Sequence, residues 1–407
     1  MILTPVYRWL RRHLLQRLIP SSKKPLPLEL RHVQIVGYFT LIAGVGESAR
    51  LCASALLDYG FEVSCIDVTS WSGKRPEYAW PGNSTSRPVD SSPTPHAESA
   101  RILHLNPPML PPVIIRMGLR SYGLTFNIAY WAWELDTLPA EWIQAIRYVN
   151  AIFVPSTFTA KALMKYTTKP VVVVPHPVRP GPASKDIRSR LGLSANSFIV
   201  ATIFSFGSSA ERKNPQASVE AFRRAFSQVK EAYLVIKASH GVDHQTDLAQ
   251  LVSYIGSTPN ILLVDEIWSS EEISGLISDA DVYISLHRSE GFGLTIAEAL
   301  LRATPIVATN WSGNTDFCCP HSTSLIGYKL VAADTKDSVS AFHGGQWAEP
   351  DIDEAAHALQ VIFEDNDRAR KRAEHAKTYA ENYFGGHTYR DGLRQLREVS
   401  SRLNVSR

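Results

Sequence analysis

The stretch Glu290-Gly-Phe-Gly-Leu-Thr-Ile-Ala-Glu298 decides the fold of this chain. The residues before it, Asp281 to Leu286, have the apolar pattern of a buried strand, and Thr295 to Arg302 have the pattern of a helix. Residues 287–294 are therefore predicted to form the loop at the carboxyl end of a strand. Open α/β sheets bind their ligands at this position. The sequence thus predicts a ligand site in this loop.

The residue types in this stretch suit a nucleotide sugar. Gly291 and Gly293 allow the backbone to approach a ligand closely. The N–H groups of a helix that starts near Thr295 can hold a diphosphate. Glu298, one turn further on, can accept hydrogen bonds from a ribose diol, and Glu290 can bind sugar hydroxyls. The alternative is a glycine turn flanked by solvated glutamates.

The same stretch resembles the E-x7-E motif of the family-4-type retaining glycosyltransferases, the glycosyl transferases group 1. Pro305-Ile-Val-Ala-Thr309 and Asn310-Trp-Ser-Gly-Asn-Thr-Asp316 resemble the next strand and loop of that family, so the resemblance covers the C-terminal half. It implies the α/β fold called GT-B, in which two Rossmann-like doubly wound domains face an interdomain cleft. It also implies that Glu290 contacts the donor sugar and Glu298 the nucleotide ribose. The donor-binding residues expected from this stretch are Gly291, Phe292, Gly293, Leu294, Thr295 and Glu298.

Two α/β halves account for the length of the chain. Its 407 residues are enough for two domains with separate cores. Apolar strands alternate with amphipathic helices from His32 to Val174 and again from Ser197 onward, which predicts doubly wound parallel sheets. The proline-rich run Pro175 to Pro182 interrupts regular structure and predicts a linker.

These patterns predict five segments. They are a basic amphipathic tail at 1–30, an acceptor-side domain at 31–178, a linker at 179–190, a nucleotide-sugar-binding domain at 191–385 and a C-terminal helix at 386–407. The last helix follows the break at Gly385-Gly386. In GT-B enzymes such a helix commonly crosses back to the N-terminal domain, and the resemblance implies the same here.

A second group of residues favours phosphate chemistry. Arg212 and Lys213 follow the strand Ile199 to Phe206, and two cations at a strand end can neutralise a departing diphosphate. They resemble the Arg/Lys pair of the family, which often places its Arg earlier, directly after a glycine, where this chain has Ser208. Lys237, at the end of the next strand, is a third candidate. A solvated surface charge is the alternative for each.

The N-terminal half contains a glycine-rich stretch that supports a rival function. Gly44 and Gly46 open a helix, and Asp67 follows 21 residues after Gly46, which satisfies the spacing of a dinucleotide-binding fingerprint. The rival is a nucleotide-cofactor (NAD-type) oxidoreductase. The preceding strand ends near Tyr38, which leaves a loop longer than the fingerprint turn. We therefore prefer a loop in which Gly44 and Gly46 face the donor across the cleft.

His104 and Glu134 are the candidate residues for binding the acceptor. Each follows an apolar strand of the N-terminal half, so each is expected at the carboxyl edge of the sheet. Either side chain can position an acceptor hydroxyl. A buried structural histidine is the alternative for His104.

Charge is unevenly distributed along the chain. Residues 1–31 hold seven Lys or Arg and one acid, so the remainder has 42 − 7 = 35 cations and 39 − 1 = 38 acids. Val6, Tyr7, Leu10, Leu14 and Leu18 share one helical face opposite several arginines, which predicts peripheral contact of residues 1–24 with an anionic membrane. The alternative is a tail packed on the protein itself. No basic stripe interleaved with aromatic residues occurs in the body, so no nucleic-acid partner is expected.

No signal peptide, transmembrane run or metal motif is recognisable. The four cysteines lack metal-binding spacing and no Asp-x-Asp pair occurs in the predicted loop at 287–294, so neither a metal nor another cofactor is expected. The expected location is the cytoplasm, with peripheral contact at the inner face of the cytoplasmic membrane as a further expectation.

The sequence therefore predicts a retaining GT-B glycosyltransferase. Its substrates would be a nucleotide-diphosphate sugar and a hydroxyl of a glycan or lipid-linked glycan, in bacterial polysaccharide synthesis. The expected catalytic residues are Glu290, Arg212, Lys213, His104 and Glu134. The alternatives are the oxidoreductase that uses Gly44, Gly46 and Asp67, and a non-catalytic carbohydrate-binding module.

Overall fold

A computed structural model of the chain describes residues 18–405 apart from 20, 22–23, 78, 81–97, 186 and 335–342. The described residues form two compact units. Unit 1 holds the residues up to Ala132, Leu138–Pro177 and the residues from His387 onward. Unit 2 holds Val178–Gly386 and the short segment Trp133–Thr137, which lies inside the range predicted as the acceptor-side domain.

Unit 1 is built on a parallel sheet of six described strands in the order β2-β1-β3-β4-β5-β6. The strands are β1 (His32–Gly37), β2 (Glu62–Asp67), β3 (Ser99–Leu103), β4 (Phe126–Tyr130), β5 (Ala151–Val154) and β6 (Val171–Val173). The helices of this part of the chain are α1 (Gly44–Asp58), α2 (Leu110–Met117), α3 (Leu119–Gly123), α4 (Ala140–Ala145) and α5 (Thr157–Met164). Every residue of β3, β4 and β5 is buried, as expected for a parallel sheet covered on both faces.

Unit 2 is built on a second parallel sheet, whose described strands run in the order β12-β11-β10-β7-β8-β9. The strands are β7 (Phe198–Ile203), β8 (Ala232–Ala238), β9 (Ile261–Asp265), β10 (Val282–Ser285), β11 (Ile306–Thr309) and β12 (Ser324–Ile326). The helices are α6 (Ile187–Arg190), α7 (Ala210–Lys213), α8 (Pro215–Phe226), α9 (Gln245–Ile255), α10 (Ser270–Asp279), α11 (Leu294–Leu301), α12 (Ile352–Glu364) and α13 (Asn366–Gly386). The predicted α/β class with two doubly wound sheets is confirmed.

A β-hairpin that the sequence analysis did not predict follows the second sheet. Its antiparallel strands are β13 (Tyr328–Asp334) and β14 (His343–Pro350). The aromatic ring of Tyr328 lies 5.2 Å from that of Trp311, in the loop that follows β11. The hairpin therefore packs beside the carboxyl end of the unit 2 sheet.

The last helix, α14 (Tyr389–Val405), belongs to unit 1. It contacts α1 and β6, and Tyr389, Leu393 and Leu396 are part of the hydrophobic core of that unit. A Cβ on Gly392 would lie 2.5 Å from Val174 Cγ2, so glycine is what allows the helix to lie this close to the sheet.

Candidate functional site

The candidate site lies at the carboxyl ends of β7 and β10, which are neighbours in the unit 2 sheet. β7 leads into the short helix α7, which ends with Arg212 and Lys213. β10 leads into the loop that carries Glu290 and then into α11. Because the carboxyl ends of parallel strands meet at one edge, two segments far apart in the sequence are brought together there.

Helix α11 starts at Leu294, one residue before the predicted start at Thr295. Its N-cap is Gly293, with φ of 98°, a left-handed conformation that favours glycine. Phe292 is buried and its ring lies 4.8 Å from that of Phe317. Tyr283 donates a hydrogen bond from its hydroxyl to Thr295 Oγ1 at 2.6 Å. These contacts fix the turn from which the helix begins.

The backbone of Glu290 is held by the loop that follows β11. Glu290 N donates to Ser312 Oγ at 2.8 Å, and Gly313 N donates to Glu290 O at 2.9 Å. A Cβ on Gly313 would lie 2.3 Å from Gly291 O, closer than real atoms approach. Gly313 is therefore required for the close contact between the two loops.

Four charged side chains meet in this site. Lys213 Nζ lies 2.5 Å from Glu290 Oε1, and Arg212 Nη1 lies 3.4 Å from Glu290 Oε2. Arg212 Nη2 lies 3.1 Å from Glu134 Oε1, in the segment Trp133–Thr137 of the same unit. Both Arg212 and Glu290 are only 7% exposed, so these are buried charges that need partners. The structure thus brings together four of the five predicted catalytic residues.

The guanidinium of Arg212 is oriented by backbone carbonyls. Arg212 Nη1 donates to Ser289 O and Nη2 donates to Ser208 O, each at 2.8 Å. Ser208 follows Gly207, the place where the resembled family often has its arginine. Arg212 therefore places its guanidinium against the backbone carbonyl of that serine, from four residues further along the chain.

The neighbouring charges determine the ionisation of the two carboxylates. Burial alone raises the pKa of Glu290, but Lys213 and then Arg212 outweigh it and lower the pKa to about 2. Glu290 is therefore an anion at neutral pH. Burial raises the pKa of Glu134, and Arg212 only partly opposes this effect.

His287 is a site residue that the sequence analysis missed. It is fully buried, with Nδ1 3.1 Å from Ser285 O and Nε2 3.1 Å from Asn314 Oδ1. Burial lowers its pKa, while the charge of Glu290 acts in the opposite direction. His287 ties the Glu290 loop to the loop that contains Asn314. The position of His287 directly after an apolar strand is the sequence signal that could have identified it.

Lys237, the third predicted cation, belongs to a different cluster. Its Nζ donates to Ala238 O and to Glu266 O, each at 2.6 Å, and lies 5.2 Å from the ring centre of Trp268. Burial lowers its pKa to about 8. The ammonium group is thus engaged by backbone carbonyls at the end of β8, away from the contacts of Glu290.

The glycine-rich stretch of unit 1 forms the first turn of α1, directly after the loop at 38–43. A Cβ on Gly46 would lie 2.5 Å from Leu41 O, and α1 starts at Gly44. The carboxylate of Asp67 accepts hydrogen bonds from Phe39 N, Thr40 Oγ1, Thr69 N and Thr69 Oγ1. Since a carboxylate has about four lone-pair sites, Asp67 is engaged by its own loop. This geometry does not favour the ribose-binding role that the oxidoreductase alternative requires.

His104 lies in the interior of unit 1. It is 1% exposed, its Nδ1 is 2.7 Å from Ser48 Oγ, and its ring stacks on Tyr130 with centroids 4.6 Å apart. Burial lowers its pKa, and the nearby His176 lowers it further. This environment matches the structural alternative for His104.

The described part of the chain has neither a metal-binding cluster nor a membrane-spanning helix. No cluster of three or more His, Cys, Asp or Glu side chains there is arranged to hold a metal ion. In the same residues no helix is both long and apolar enough to cross a bilayer.

Comparisons with known proteins identify the class of this fold. Residues 200–381 match the family model described as glycosyl transferases group 1. A trehalose synthase from Rubrobacter xylanophilus is 28% identical over 188 residues, which are 45% of this chain and 40% of that protein. The chain thus spans about two fifths of this curated relative.

Solved structures share the fold over nearly the whole chain. A sucrose-phosphate synthase from Thermosynechococcus elongatus has a TM-score of 0.64 at 14% identity and covers 93% of this chain and 100% of its own. HepE from Anabaena, solved in complex with UDP and glucose, has a TM-score of 0.62 at 13% identity, with the same coverage. The two parallel sheets and these likenesses define the GT-B fold of glycosyltransferases. Within that fold, residues 200–381 are the part of the chain that matches the group 1 family model.

We predict that Gly313→Ala destabilises unit 2 by roughly 1–3 kcal/mol, because the added methyl group would overlap Gly291 O. Thermal unfolding monitored by circular dichroism would measure the change. Gly385→Ala is the matched control, since nothing lies within 4 Å of a Cβ there. Equal unfolding temperatures for the two variants would show that the contact between the loops is not tight.

Proposed function

We propose that this chain is a retaining glycosyltransferase that uses a nucleoside-diphosphate sugar as donor. One observation carries the proposal: Arg212, Lys213 and Glu290 meet at the carboxyl end of a parallel sheet, beside the start of α11. Two buried or half-buried cations next to a helix N-terminus suit a diphosphate, and an ionised carboxylate suits sugar hydroxyls. The group 1 match over residues 200–381 supports the same chemistry.

The donor would be bound in three parts. Its diphosphate would lie between the cations and the first turn of α11, whose N–H groups and dipole favour an anion. Glu298, half-buried one turn into that helix, would accept hydrogen bonds from the ribose. Glu290 would contact the sugar. Gly291, Phe292, Gly293, Leu294 and Thr295 would form the surrounding loop and helix start.

The reaction would break the bond between the anomeric carbon and the phosphate oxygen. The cations would stabilise the negative charge that develops on the departing diphosphate, so that no metal is required for this step. An acceptor hydroxyl would attack the oxocarbenium-like carbon on the same face, and its proton would pass to the leaving phosphate oxygen. Attack on that face retains the configuration of the sugar.

The acceptor class and the biological setting are inferred from similar proteins. HepE was solved with UDP-glucose, and WaaG, with a TM-score of 0.53 and 13% identity, is described as a glycosyltransferase involved in lipopolysaccharide biosynthesis. We infer that this chain transfers its sugar to a hydroxyl of a glycan or lipid-linked glycan, in bacterial polysaccharide synthesis at the inner face of the cytoplasmic membrane.

The basic tail would provide the membrane contact. Nearly all of residues 1–24, on which this interpretation rests, lie outside the described residues. Ile19 is 1% exposed and Lys24 O accepts a hydrogen bond from Asn150 Nδ2, so the end of the tail packs on unit 1. A deletion that tests membrane binding should therefore remove residues 1–17 only.

We predict that Lys213→Ala and Arg212→Gln each slow donor consumption by about 10²–10³-fold, because each removes one stabiliser of the departing diphosphate. Thermal-shift screening with UDP-, GDP- and ADP-sugars would first identify the donor, and nucleotide release would then be followed. Arg224→Ala, an exposed cation on α8, is the control and should keep full turnover.

Stabilisation by NADH with no response to any nucleotide sugar would overturn the proposed function in favour of the oxidoreductase. Binding of sugars without nucleotides would instead favour the carbohydrate-binding module. Normal turnover of both Arg212→Gln and Lys213→Ala would place the diphosphate elsewhere.

Glu298→Ala and Glu290→Gln are predicted to affect different properties: the first should weaken nucleotide binding, and the second should lower turnover. Loss of the Glu298 carboxylate should weaken binding of the free nucleoside diphosphate by roughly 1.5–3 kcal/mol, the value of a charged hydrogen bond. Glu290→Gln should not weaken that affinity and should lower turnover, because it changes the contact with the sugar. Calorimetry with the free nucleotide separates the two effects. Unchanged affinity in Glu298→Ala would argue against the ribose contact.

Deletion of residues 1–17 should release the protein from anionic membranes, because each basic residue near such a surface contributes about 1 kcal/mol of binding. Co-sedimentation with phosphatidylserine-containing vesicles at low and high salt would measure this release. Phosphatidylcholine vesicles are the control. If the shortened and full-length proteins pellet equally with anionic vesicles, the tail is not the membrane anchor.

A further inference from the structure

The segment Trp133–Thr137 is held in place by the β-hairpin of unit 2. Thr137 Oγ1 donates to Gly344 O at 3.0 Å, and Gln346 N donates to Asp136 Oδ1 at 3.1 Å. Both contacts involve β14, the second strand of the hairpin. The segment is therefore fixed from one side by the hairpin, through contacts that do not involve the Glu134 side chain.

The segment Trp133–Thr137 and the hairpin also form hydrogen bonds with the loop that carries Glu290. Ser289 Oγ donates to Glu134 O, and Ala348 N donates to Arg288 O at 2.9 Å. Arg288 N in turn donates to Arg212 O at 2.8 Å. The Glu134 carboxylate is thus positioned against Arg212 by a continuous network of backbone and side-chain hydrogen bonds and is not a chance surface contact.

The two carboxylates that pair with Arg212 differ in their access to solvent. The Glu290 side chain is 9% exposed and is also bound by Lys213, whereas the Glu134 side chain is 35% exposed. Glu134 is therefore the partner that an incoming anion can replace. The Arg212 Nη2 contact to Ser208 O would keep the guanidinium in place during such an exchange.

The charges of the four side chains balance. Arg212 and Lys213 supply two cations, and Glu134 and Glu290 supply two carboxylates. A diphosphate added to this cluster would face a nearby carboxylate without gaining a free cation. Like charges in a water-poor site repel strongly, so one carboxylate must give up its contact when a diphosphate binds.

We propose that Glu134 and the diphosphate of the donor are alternative partners of Arg212. Glu134 pairs with the guanidinium, leaves it when the diphosphate binds, and returns to it when the nucleoside diphosphate departs after transfer. In this role Glu134 is a positioning residue that lowers the affinity of the product and speeds its release. The inference rests on the proposed function of the site.

Although part of the Glu134 side chain reaches solvent, desolvation around its carboxylate raises the pKa, so the charged form is less stable beside Arg212 than it would be in water. Nucleotide affinity distinguishes this role of Glu134 from a role in binding the acceptor. A residue that only positions the acceptor would leave the affinity for a free nucleotide unchanged.

Calorimetry with UDP, GDP and ADP tests the proposal without a known sugar or acceptor. Glu134→Gln and Glu134→Ala should each bind the recognised nucleotide about three- to tenfold more tightly than the unmodified protein, as expected for loss of a half-exposed competing charge. Turnover should fall and product inhibition should increase. Glu220→Gln, which removes a carboxylate paired with Arg224 on α8, is the control for net charge and should not change the affinity.

The possible failures are distinguishable. If the unmodified protein binds none of the three nucleotides, the proposed function and this inference both fall. If it binds one, Arg212→Gln weakens that binding, and both Glu134 variants bind equally or more weakly than the unmodified protein, the exchange role alone is overturned. Unfolding temperatures of the Glu134 variants would verify that each is folded.

Discussion

The pairing of buried charges around Arg212 is the constraint on which the rest of the unit 2 site depends. Arg212 and Glu290 are almost fully buried, and a buried charge is tolerated only with a partner and satisfied hydrogen bonds. The carbonyls of Ser208 and Ser289 accept those bonds from the guanidinium, and Arg288 N donates to the backbone carbonyl of Arg212. Two strand ends, the Glu290 loop and the segment that carries Glu134 therefore meet at a single guanidinium.

Much of the fold was predictable because its signals are local. Apolar runs alternating with amphipathic helices specify parallel sheets, and the carboxyl ends of neighbouring strands meet at one edge. That rule was sufficient to expect Glu290 near Arg212 and Lys213. Helix α11 starts one residue before the predicted start. Its N-cap, Gly293, adopts a left-handed conformation, and a sequence pattern does not show which glycine of the loop does so.

The rest of the site was harder to predict from the sequence because it depends on contacts between distant segments. Glu134 was expected to be a cleft residue of the first domain, and nothing in its neighbourhood indicated a contact with Arg212. The hairpin that holds its segment has no distinctive turn signal. Lys237 had the right position at a strand end, yet its ammonium group finds carbonyl partners at Ala238 and Glu266. Position along a strand does not determine where a long side chain points.

Unit 2 is not a contiguous piece of the chain, and this affects how the protein can be divided or recombined. A fragment cut at Val178 and Gly386 would contain the family-matching domain but would lack Trp133–Thr137, and with it the Glu134 partner of Arg212. Exchanging the N-terminal half with that of a relative would likewise replace this carboxylate without altering any residue of the C-terminal half. Recombination of the two halves of the chain would therefore change the charge beside Arg212.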